Sequence, residues 1–578
     1  MRRHAATPAG NGPQPRAREP PARADPVRRI LTVRRILTVA IVASWLVLVA
    51  LLVRKQGAPP ALDVATLPRT APTGREEWFG VYHGGGKIGH AYRVGAQTRE
   101  GYRFDEESAV TVVMLGVPQA LRTTLVAETD RELALRRFDF TLVSPAAVFA
   151  ARGTSDGQRL AVRYGPPGQE ATLELPLAEP IYLPSTLRPH VLAGDPAPGT
   201  RYTVPVFSPL TLRNEPLTLT VEGRESLTSA AGPVETILLV EEHQGIRTRA
   251  WLDRSGAVLR EEAALGFTLE RETREQALAG ARASVDLVTT SRIPTRGRIP
   301  HPRQAAYLVL RVSGAAATTI PADPPRQRRE GSRLRIARET LPPRAPALPD
   351  GAPAQLPLDG TAHPRAEDSP ARPSPDGSPL HLPPGGTPAH LPVGGGPGHP
   401  PTAGSPAHLP PGGAPPSADD LRAYRAPAPF IEADDPTVVA QARAIVGGVT
   451  DATFAARRLV AWVHETLEKA PTVTVPSARQ VLRTRRGDCN EHAVLLTALA
   501  RAAGIPARVV AGAVHAGDGF YYHAWTELWL DGWVSADGVF GQMPADATHV
   551  KLVEGGPERH LALAGAIGAL AFAVEEVR

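Results

Sequence analysis

The chain has 578 residues, with 64 Lys and Arg against 58 Asp and Glu, which gives a formal net charge of +6. That length accommodates two or three domains with separate cores. The basic excess lies mainly at the N-terminus, and no Lys/Arg block with interleaved aromatic residues follows it, so the composition argues against a nucleic-acid partner. A single cysteine, Cys489, excludes intramolecular disulfides.

The N-terminus combines a basic tail, residues 1–35, with a charge-free apolar run, residues 36–53. A run of this length is just sufficient to span a bilayer as a helix. More arginine precedes the run than follows it, which predicts a cytoplasmic N-terminus. A cleaved signal peptide is the alternative, but the run is longer than a usual signal-peptide core. We therefore predict a single-pass inner (cytoplasmic) membrane protein whose other domains are periplasmic.

Residues 76–340 are predicted to form an antiparallel β-rich domain. Alternating or β-branched runs, such as 109–115 and 234–241, are punctuated by Gly, Pro and Asp. An antiparallel sheet or an open barrel is the expected architecture. The sequence of this domain contains no catalytic constellation.

Residues 341–417 are rich in Pro, Gly, Ala, Ser and His, and a nine-residue unit recurs in them, as SPLHLPPGG (378–386) and SPAHLPPGG (405–413). Such a composition buries too little apolar surface to fold, which predicts a disordered, partly extended spacer. A metal-binding histidine tract is the alternative. The regular spacing in an extended chain keeps the imidazoles far apart and favours the spacer.

Residues 418–578 are predicted to form an α+β catalytic domain. Asp434-Asp435-Pro436 is typical of a helix start, and a second helix is expected over 452–467 with Phe454, Leu459 and Val463 on its buried side. Next, Gly487 and Asp488 stand where a helix would begin, directly before Cys489. Backbone amides at a helix N-terminus favour a thiolate and donate to an oxyanion, so a nucleophile with a lowered pKa is expected there.

Two strands after this helix carry the partners that a nucleophilic cysteine needs. His523 lies in the apolar run 520–530, and Asp537 ends the next one, 533–537. Together with Cys489 they form a Cys-His-Asp arrangement, in which the imidazole takes the thiol proton and the carboxylate orients the ring. A two-residue turn between these strands would place Asp537 on the face opposite to His523, so an odd loop or a bulge is predicted.

Several separated blocks resemble the bacterial transglutaminase-like superfamily: GDCNEH (487–492), GIPARVVAG (504–512), YYHAWTELWL (521–530), WVSAD (533–537) and PADATHVKL (544–552). The resemblance implies a papain-like fold with the nucleophile on Cys489, the base on His523 and the orienting acid on Asp537. The segment EEWFGVYHGGGKIGHAYRVG (76–95) is similar, more weakly, to the N-terminal part of longer, membrane-anchored members.

We expect structural roles for other residues near the Cys-His-Asp arrangement. His492 is expected to pack or cap rather than to tune the thiolate, and Trp525 is either a pocket wall or core. A zinc site built from Cys489, His492 and His523 is disfavoured with only one cysteine, so no metal and no cofactor are predicted. The apolar end, 561–574, is interpreted as a closing strand of the catalytic sheet.

Acyl transfer through a Cys489 thioester is the predicted activity, with hydrolysis of peptide or amide bonds at the cell envelope favoured. A protein-crosslinking transglutaminase and a non-catalytic peptide-binding envelope module are the alternatives. The predicted partners are a peptide or protein substrate, for which an envelope component is one option, and the inner membrane through the N-terminal helix.

Overall fold

The computed structural model describes residues 76–342 and 416–578, with gaps at 230–231, 244–245, 282, 557–562 and 564–567, and also the single positions 74 and 348. The predicted membrane span at 36–53 and nearly all of the predicted spacer lie outside the described residues. Within the described part of the chain, no helix is long and apolar enough to cross a membrane.

The N-terminal part of the described chain forms a 15-stranded, almost entirely antiparallel sheet. Its strands are β1 Glu77–His83, β2 Gly86–Gln97, β3 Gly101–Met114, β4 Val117–Asp130, β5 Leu135–Val143, β6 Val148–Ser155, β7 Arg159–Gly165, β8 Ala171–Pro176, β9 Arg201–Ser208, β10 Arg213–Ser229, β11 Gly232–His243, β12 Ile246–Leu252, β13 Val258–Glu262, β14 Phe267–Glu272 and β15 Val285–Asp286. Their order is β8 to β1 followed by β14 to β9, with β15 added in parallel to β3. The predicted antiparallel β-rich region is therefore confirmed.

The two edges of this sheet approach each other. Tyr182, in the segment after edge strand β8, pairs in parallel with Val206 of the other edge strand, β9. Helix α1 (Pro184–Ala193) follows at once and buries Leu187 in the core of the sheet. Two shorter helices, α2 (Arg274–Leu278) and α3 (Leu287–Thr290), follow the last long strand. The architecture is a curled sheet, as expected for an open barrel.

A five-stranded sheet combines chain from before and after the predicted spacer. Its strands are β16 Thr295–Arg296, β17 Tyr307–Ser313, β18 Gln327–Glu330, β19 Arg333–Ala337 and β26 Ala571–Val577. The strand expected within 561–574 thus belongs to this sheet and not to the catalytic one, because β26 pairs with β17 and β16. Leu308 and Leu310 of β17 share one core with the C-terminal helices, which explains this choice of partner.

The helices of the C-terminal domain are α4 Ala418–Ala423, α5 Pro436–Val446, α6 Ala452–Thr466, α7 Ala478–Thr484 and α8 Cys489–Ala502. The helix start predicted at 434–436 is confirmed, since Asp435 caps α5 by accepting from the Thr437 amide at 2.8 Å. The prediction that Phe454 is buried is wrong: its side chain is 66% exposed. Phe454 lies one position before the buried stripe that contains Leu459 and Val463, so it points away from the core.

A four-stranded antiparallel sheet in the order β24-β23-β22-β25 packs against α8. Its strands are β22 Ala507–Ala516, β23 Gly519–Trp529, β24 Trp533–Ala536 and β25 Val550–Glu554, and a short parallel pair, β20 Glu468–Lys469 and β21 Arg486–Gly487, precedes the helix. Every residue of α8 from Glu491 to Ala500 is buried, so this helix is central to the domain. Its first residue, Cys489, is thereby fixed against the sheet.

Candidate active site

Cys489 is the first residue of α8 and remains partly exposed. The Asp488 side chain accepts from the Asn490 amide at 2.8 Å, while Glu491 accepts from the Asp488 amide at 2.9 Å. This reciprocal capping box fixes the start of the helix. The backbone amide of Cys489 makes no hydrogen bond to any described residue, so it is available to a substrate oxyanion.

The thiol of Cys489 is not acidic in this setting. Burial and the Asp488 carboxylate raise its pKa well above the ordinary value, and the backbone of Ala524, hydrogen-bonded to the sulfur, opposes them only in part. The expected lowering of the Cys489 pKa is therefore wrong, because burial and the Asp488 carboxylate raise it, with smaller contributions from Glu491 and Asp537. A raised pKa favours the neutral thiol, so a nucleophilic role for Cys489 would need a base that removes its proton.

The loop between β23 and β24 brings Asp537 to the face of His523. It contains three residues, 530–532, so Thr526 pairs with Ala536. Asp537 therefore follows on the same sheet face as His523. The odd loop predicted from the sequence is confirmed.

The Asp537 carboxylate is shared by two histidines. Its Oδ2 lies 2.6 Å from Nε2 of His523 and 2.8 Å from Nε2 of His549. Its Oδ1 accepts from the amides of Val539 and Phe540 at 2.7 and 3.0 Å. Burial alone would raise the pKa of Asp537, but the two histidines hold it well below the usual range. The carboxylate occupies Nε2 of His523, so proton transfer between this ring and another group would use Nδ1.

His549 is the residue to which the sequence reasoning gave only a supporting role near the pocket, not a hydrogen bond to Asp537. It is completely buried, and its Nδ1 lies 3.2 Å from the carbonyl of Asp546. The Asp546 carboxylate is 3.0 Å from Nη1 of Arg303, which extends the chain of charges beyond Asp537. Burial lowers the pKa of His549, yet its hydrogen bonds to the two carboxylates outweigh burial and raise it. The one sequence signal was its position in the block PADATHVKL.

Chain from before the predicted spacer supports these loops. Arg326 donates to the Ser535 hydroxyl at 3.0 Å and to the Asp546 carbonyl at 2.7 Å. The Arg303 guanidinium lies 4.1 Å from the centre of the Phe540 ring. Both arginines follow the large sheet in sequence, so the site depends on residues far from the Cys489 helix.

Cys489 and His523 open into one cavity of about 840 Å³. Tyr522 also lines it, and its hydroxyl donates to Oδ1 of Asn490 at 2.6 Å. Burial raises the pKa of Tyr522 well above the usual range, so this phenol stays protonated. The opposite wall of the cavity comes from the large sheet and the helices that follow it. A volume of this size accommodates a drug-sized molecule or a short peptide segment.

Two further residues have mainly structural positions. Nδ1 of His492 is 2.7 Å from the Asp488 carbonyl, and burial lowers the pKa of this histidine. Trp525 is buried, lies 5.2 Å from the His549 ring centre and does not line the cavity. His492 thus supports the start of the Cys489 helix, and Trp525 supports the His523 strand.

A metal site would use a set of ligands different from the one weighed in the sequence. Among the described residues, the group with suitable atoms is His523, Asp537 and His549, which converge within 4.8 Å. Their hydrogen bonds to one another use the same atoms that would bind an ion. The geometry suits proton transfer, because one carboxylate oxygen of Asp537 accepts a hydrogen bond from each of the two imidazoles.

A family model, that of the transglutaminase-like superfamily, matches residues 439–538. This range contains Cys489, His523 and Asp537. No curated protein matches the chain significantly.

Three solved structures are similar to parts of this chain. A proposed cysteine protease from Cytophaga hutchinsonii is 20% identical over 28% of this chain and 54% of that protein, with a TM-score of 0.23. The periplasmic domain of TgpA from Pseudomonas aeruginosa, bound to ethylmercury, is 29% identical over 18% of this chain and 44% of that domain, with a TM-score of 0.16. A β-barrel-like protein from Brucella abortus, of the family DUF1849, is 13% identical over 36% of this chain and 96% of its own length, with a TM-score of 0.28.

The chain spans only about half of the first two of these proteins. The family match describes the C-terminal part of the molecule, and the 15-stranded sheet describes the part before it. It carries a transglutaminase-like domain in its C-terminal part, preceded by a large antiparallel β-rich region.

Proposed function

We propose that the protein is a cysteine enzyme that hydrolyses peptide or amide bonds through a Cys489 thioester, with His523 as base and Asp537 as orienting acid. One observation carries the proposal. Cys489 and His523 line the same cavity, and His523 is held through Nε2 by a buried carboxylate, 2.6 Å away. This is the arrangement in which an imidazole activates a thiol.

The reaction follows from the positions of the protons. His523 takes the Cys489 proton as the sulfur attacks the substrate carbonyl carbon, and the free amide of Cys489 donates to the oxyanion. The C–N bond then breaks, and His523 returns the proton to the leaving amine. Water attacks the thioester, giving one proton to His523, and the C–S bond breaks to release the acid and regenerate the thiol. Transfer to an amine instead of water would give crosslinking.

We further propose that this chemistry takes place at the cell envelope, outside the cytoplasm. The support is the charge-free run at 36–53 and the arginine excess before it. Fractionation of cells that express the full-length chain, with protease added to intact spheroplasts, tests this topology. Degradation of the C-terminal domain in intact spheroplasts is expected, and full protection would contradict the proposal.

The catalytic proposal is tested by alkylating the full-length protein with iodoacetamide across pH, as wild type and as His523→Ala. Because the resting thiol is neutral, the wild-type rate near neutral pH should depend on His523 and fall at least tenfold in the variant. Equal rates in both proteins would describe an ordinary buried thiol and favour a binding module. Release of ammonia with incorporation of a primary amine would favour crosslinking over hydrolysis.

A further inference from the structure

The cavity that contains Cys489 has two chemically different walls. The C-terminal domain supplies the reactive groups, whereas the large sheet and the segment after it supply mainly apolar side chains, among them Met114, Leu115, Leu142 and Leu265. Few charged residues line the cavity, and those outside the Cys489 helix already make hydrogen bonds within the protein. Asp286 caps α3, and Lys469 donates to a backbone carbonyl. The β-rich wall therefore has little to offer a charged group.

Two of these apolar residues have an unusual backbone conformation. Leu115 has a φ of 50° and Leu265 a φ of 59°, and each is followed by a glycine, Gly116 and Gly266, with positive φ. Tight turns of this kind favour Asn, Asp or Gly at the first position, because an L residue with a large side chain pays a steric penalty there. Leu115 is also 66% exposed. Leu133 and Leu212 also have positive φ but are buried in the core, whereas Leu115 and Leu265 line the cavity.

We propose that Leu115 and Leu265 form an apolar subsite that binds a bulky apolar side chain of a peptide substrate, on the acyl side of the bond attacked by Cys489. This inference rests on the proposed function and assigns the β-rich region a part in substrate selection. It makes the large sheet one half of the active-site cleft, with the hairpin β3–β4 as its rim.

The occupant is a peptide because the same cavity offers unpaired backbone. Val473 and Val475 line it, and neither makes a backbone hydrogen bond to any described residue. An extended peptide can use such amides and carbonyls, as in strand addition, while its side chains enter adjacent pockets. A fatty acyl chain has no peptide groups that could pair with these amides and carbonyls. The apolar wall and the free backbone thus fit a peptide with a leucine or phenylalanine near the scissile bond.

The test uses peptidyl chloromethyl ketones, which alkylate a catalytic cysteine, with Leu or Asp next to the reactive carbonyl. The full-length wild type should react with the Leu probe at least tenfold faster than with the Asp probe. Leu115→Asn and Leu265→Asn should reduce that preference severalfold, whereas the control variant below should keep both the preference and the rate of iodoacetamide alkylation. Both variants should keep or raise the unfolding temperature, because Asn tolerates positive φ. Leu278→Asn, at an exposed leucine of α2 that does not line the cavity, is the matched control.

The outcomes separate this inference from the proposed function. If iodoacetamide alkylation requires His523 but the Leu and Asp probes react equally, or if Leu115→Asn keeps the full preference, the apolar subsite is refuted and the catalytic proposal stands. A palmitoyl chloromethyl ketone that reacts faster than the Leu peptide would refute the peptide occupant. Alkylation independent of His523 would refute the catalytic proposal itself.

Discussion

Two buried clusters of charge, one in each half of the molecule, show what distinguishes a candidate active site from a structural ion pair. In the β-rich region, Arg188 donates to Glu241 at 2.6 Å and to Glu261 at 2.8 Å, and all three side chains are nearly inaccessible to solvent. In the C-terminal domain, Asp537 accepts from His523 and His549 at similar distances. Burial and geometry are therefore almost equal in the two clusters.

The difference lies in what each cluster can do with a proton. A guanidinium stays protonated at any physiological pH, so the Arg188 cluster only holds charge. An imidazole gives and takes a proton near neutral pH. The His523 cluster also shares a cavity with a thiol, whereas the residues of the Arg188 cluster do not line that cavity. The comparison predicts that damage to the first cluster changes stability and that damage to the second changes chemistry.

Replacement of Asp537 by Asn should give the largest effect, on chemistry alone. The amide Oδ1 can still accept from Val539 and Phe540, so the loop should keep its shape. The side-chain NH₂ cannot accept from His523, which favours the wrong tautomer, and kcat/KM should fall about 10⁴-fold. Hydrolysis of a Leu-containing peptide amide and a thermal unfolding curve measure the two effects. A loss below tenfold would remove Asp537 from the catalytic set.

Arg188→Met should cost about 3–5 kcal/mol of unfolding free energy, because it leaves Glu241 buried without its ion-pair partner and leaves Glu261 with Arg93 alone, at 3.4 Å. Burial opposes the charged form, but Arg188 and Arg93 lower the pKa of Glu261 to about 2. Stability from a carboxylate with a depressed pKa is present above its ordinary pKa and is lost as pH falls. The difference between wild type and variant should therefore shrink between about pH 4.5 and pH 2.

The control for this variant combines Arg188→Met with Glu241→Leu and Glu261→Leu. Removing all three charges should restore most of the lost unfolding free energy, since a buried ion pair is often no better than an apolar replacement. Alkylation of Cys489 by iodoacetamide, below the unfolding temperature, should match wild type in both proteins. A change in that rate would mean that the two clusters are coupled.

The parts of the site predictable from sequence are those with local signals. Gly487 and Asp488 mark a helix start before Cys489, and the spacing from His523 to Asp537 requires an odd loop whatever the rest of the fold. Each of these inferences uses fewer than about 20 neighbouring residues and one periodicity. The antiparallel character of the first region follows from the same kind of local alternation.

The parts that sequence reasoning missed depend on contacts between distant segments. Arg326 reaches Ser535 and Asp546 across a long interval of sequence, and no periodicity indicates which loop an arginine will contact. The pKa of Cys489 was predicted in the wrong direction for the same reason, since it depends on burial and on carboxylates such as Asp537. Periodicity identifies a buried face but not the segment that covers it.

His549→Gln should have a smaller effect than Asp537→Asn. The loss of one charge-assisted hydrogen bond costs about 1.5–3 kcal/mol, which corresponds to roughly a ten- to hundredfold decrease in kcat if it is expressed in the transition state. His515→Gln, at a buried histidine that does not line the cavity, is the matched control. An unchanged kcat in His549→Gln would assign His549 a packing role only.

Asp488→Asn should give the smallest effect. It tests whether Asp488 only caps the Cys489 helix or also changes the pKa of the thiol. Asn is also a favoured N-cap, so the start of the Cys489 helix should be kept. After burial, the Asp488 carboxylate is the main group that raises the pKa of Cys489. Burial and Glu491 raise the pKa of Asp488 itself, so its influence on the thiol grows as pH rises and it ionises.

The sign of the pH effect follows from the charge that is removed. An anion next to the sulfur destabilises the thiolate, so the Asn variant should form thiolate at lower pH. Alkylation by iodoacetamide, followed across pH in the His523→Ala background, should show a midpoint below that of the parent. Asp435→Asn, at the cap of helix α5, should leave the midpoint in place. If the midpoint rises or stays, Asp488 holds the helix start without acting on the thiol, and Cys489 is kept neutral by burial alone.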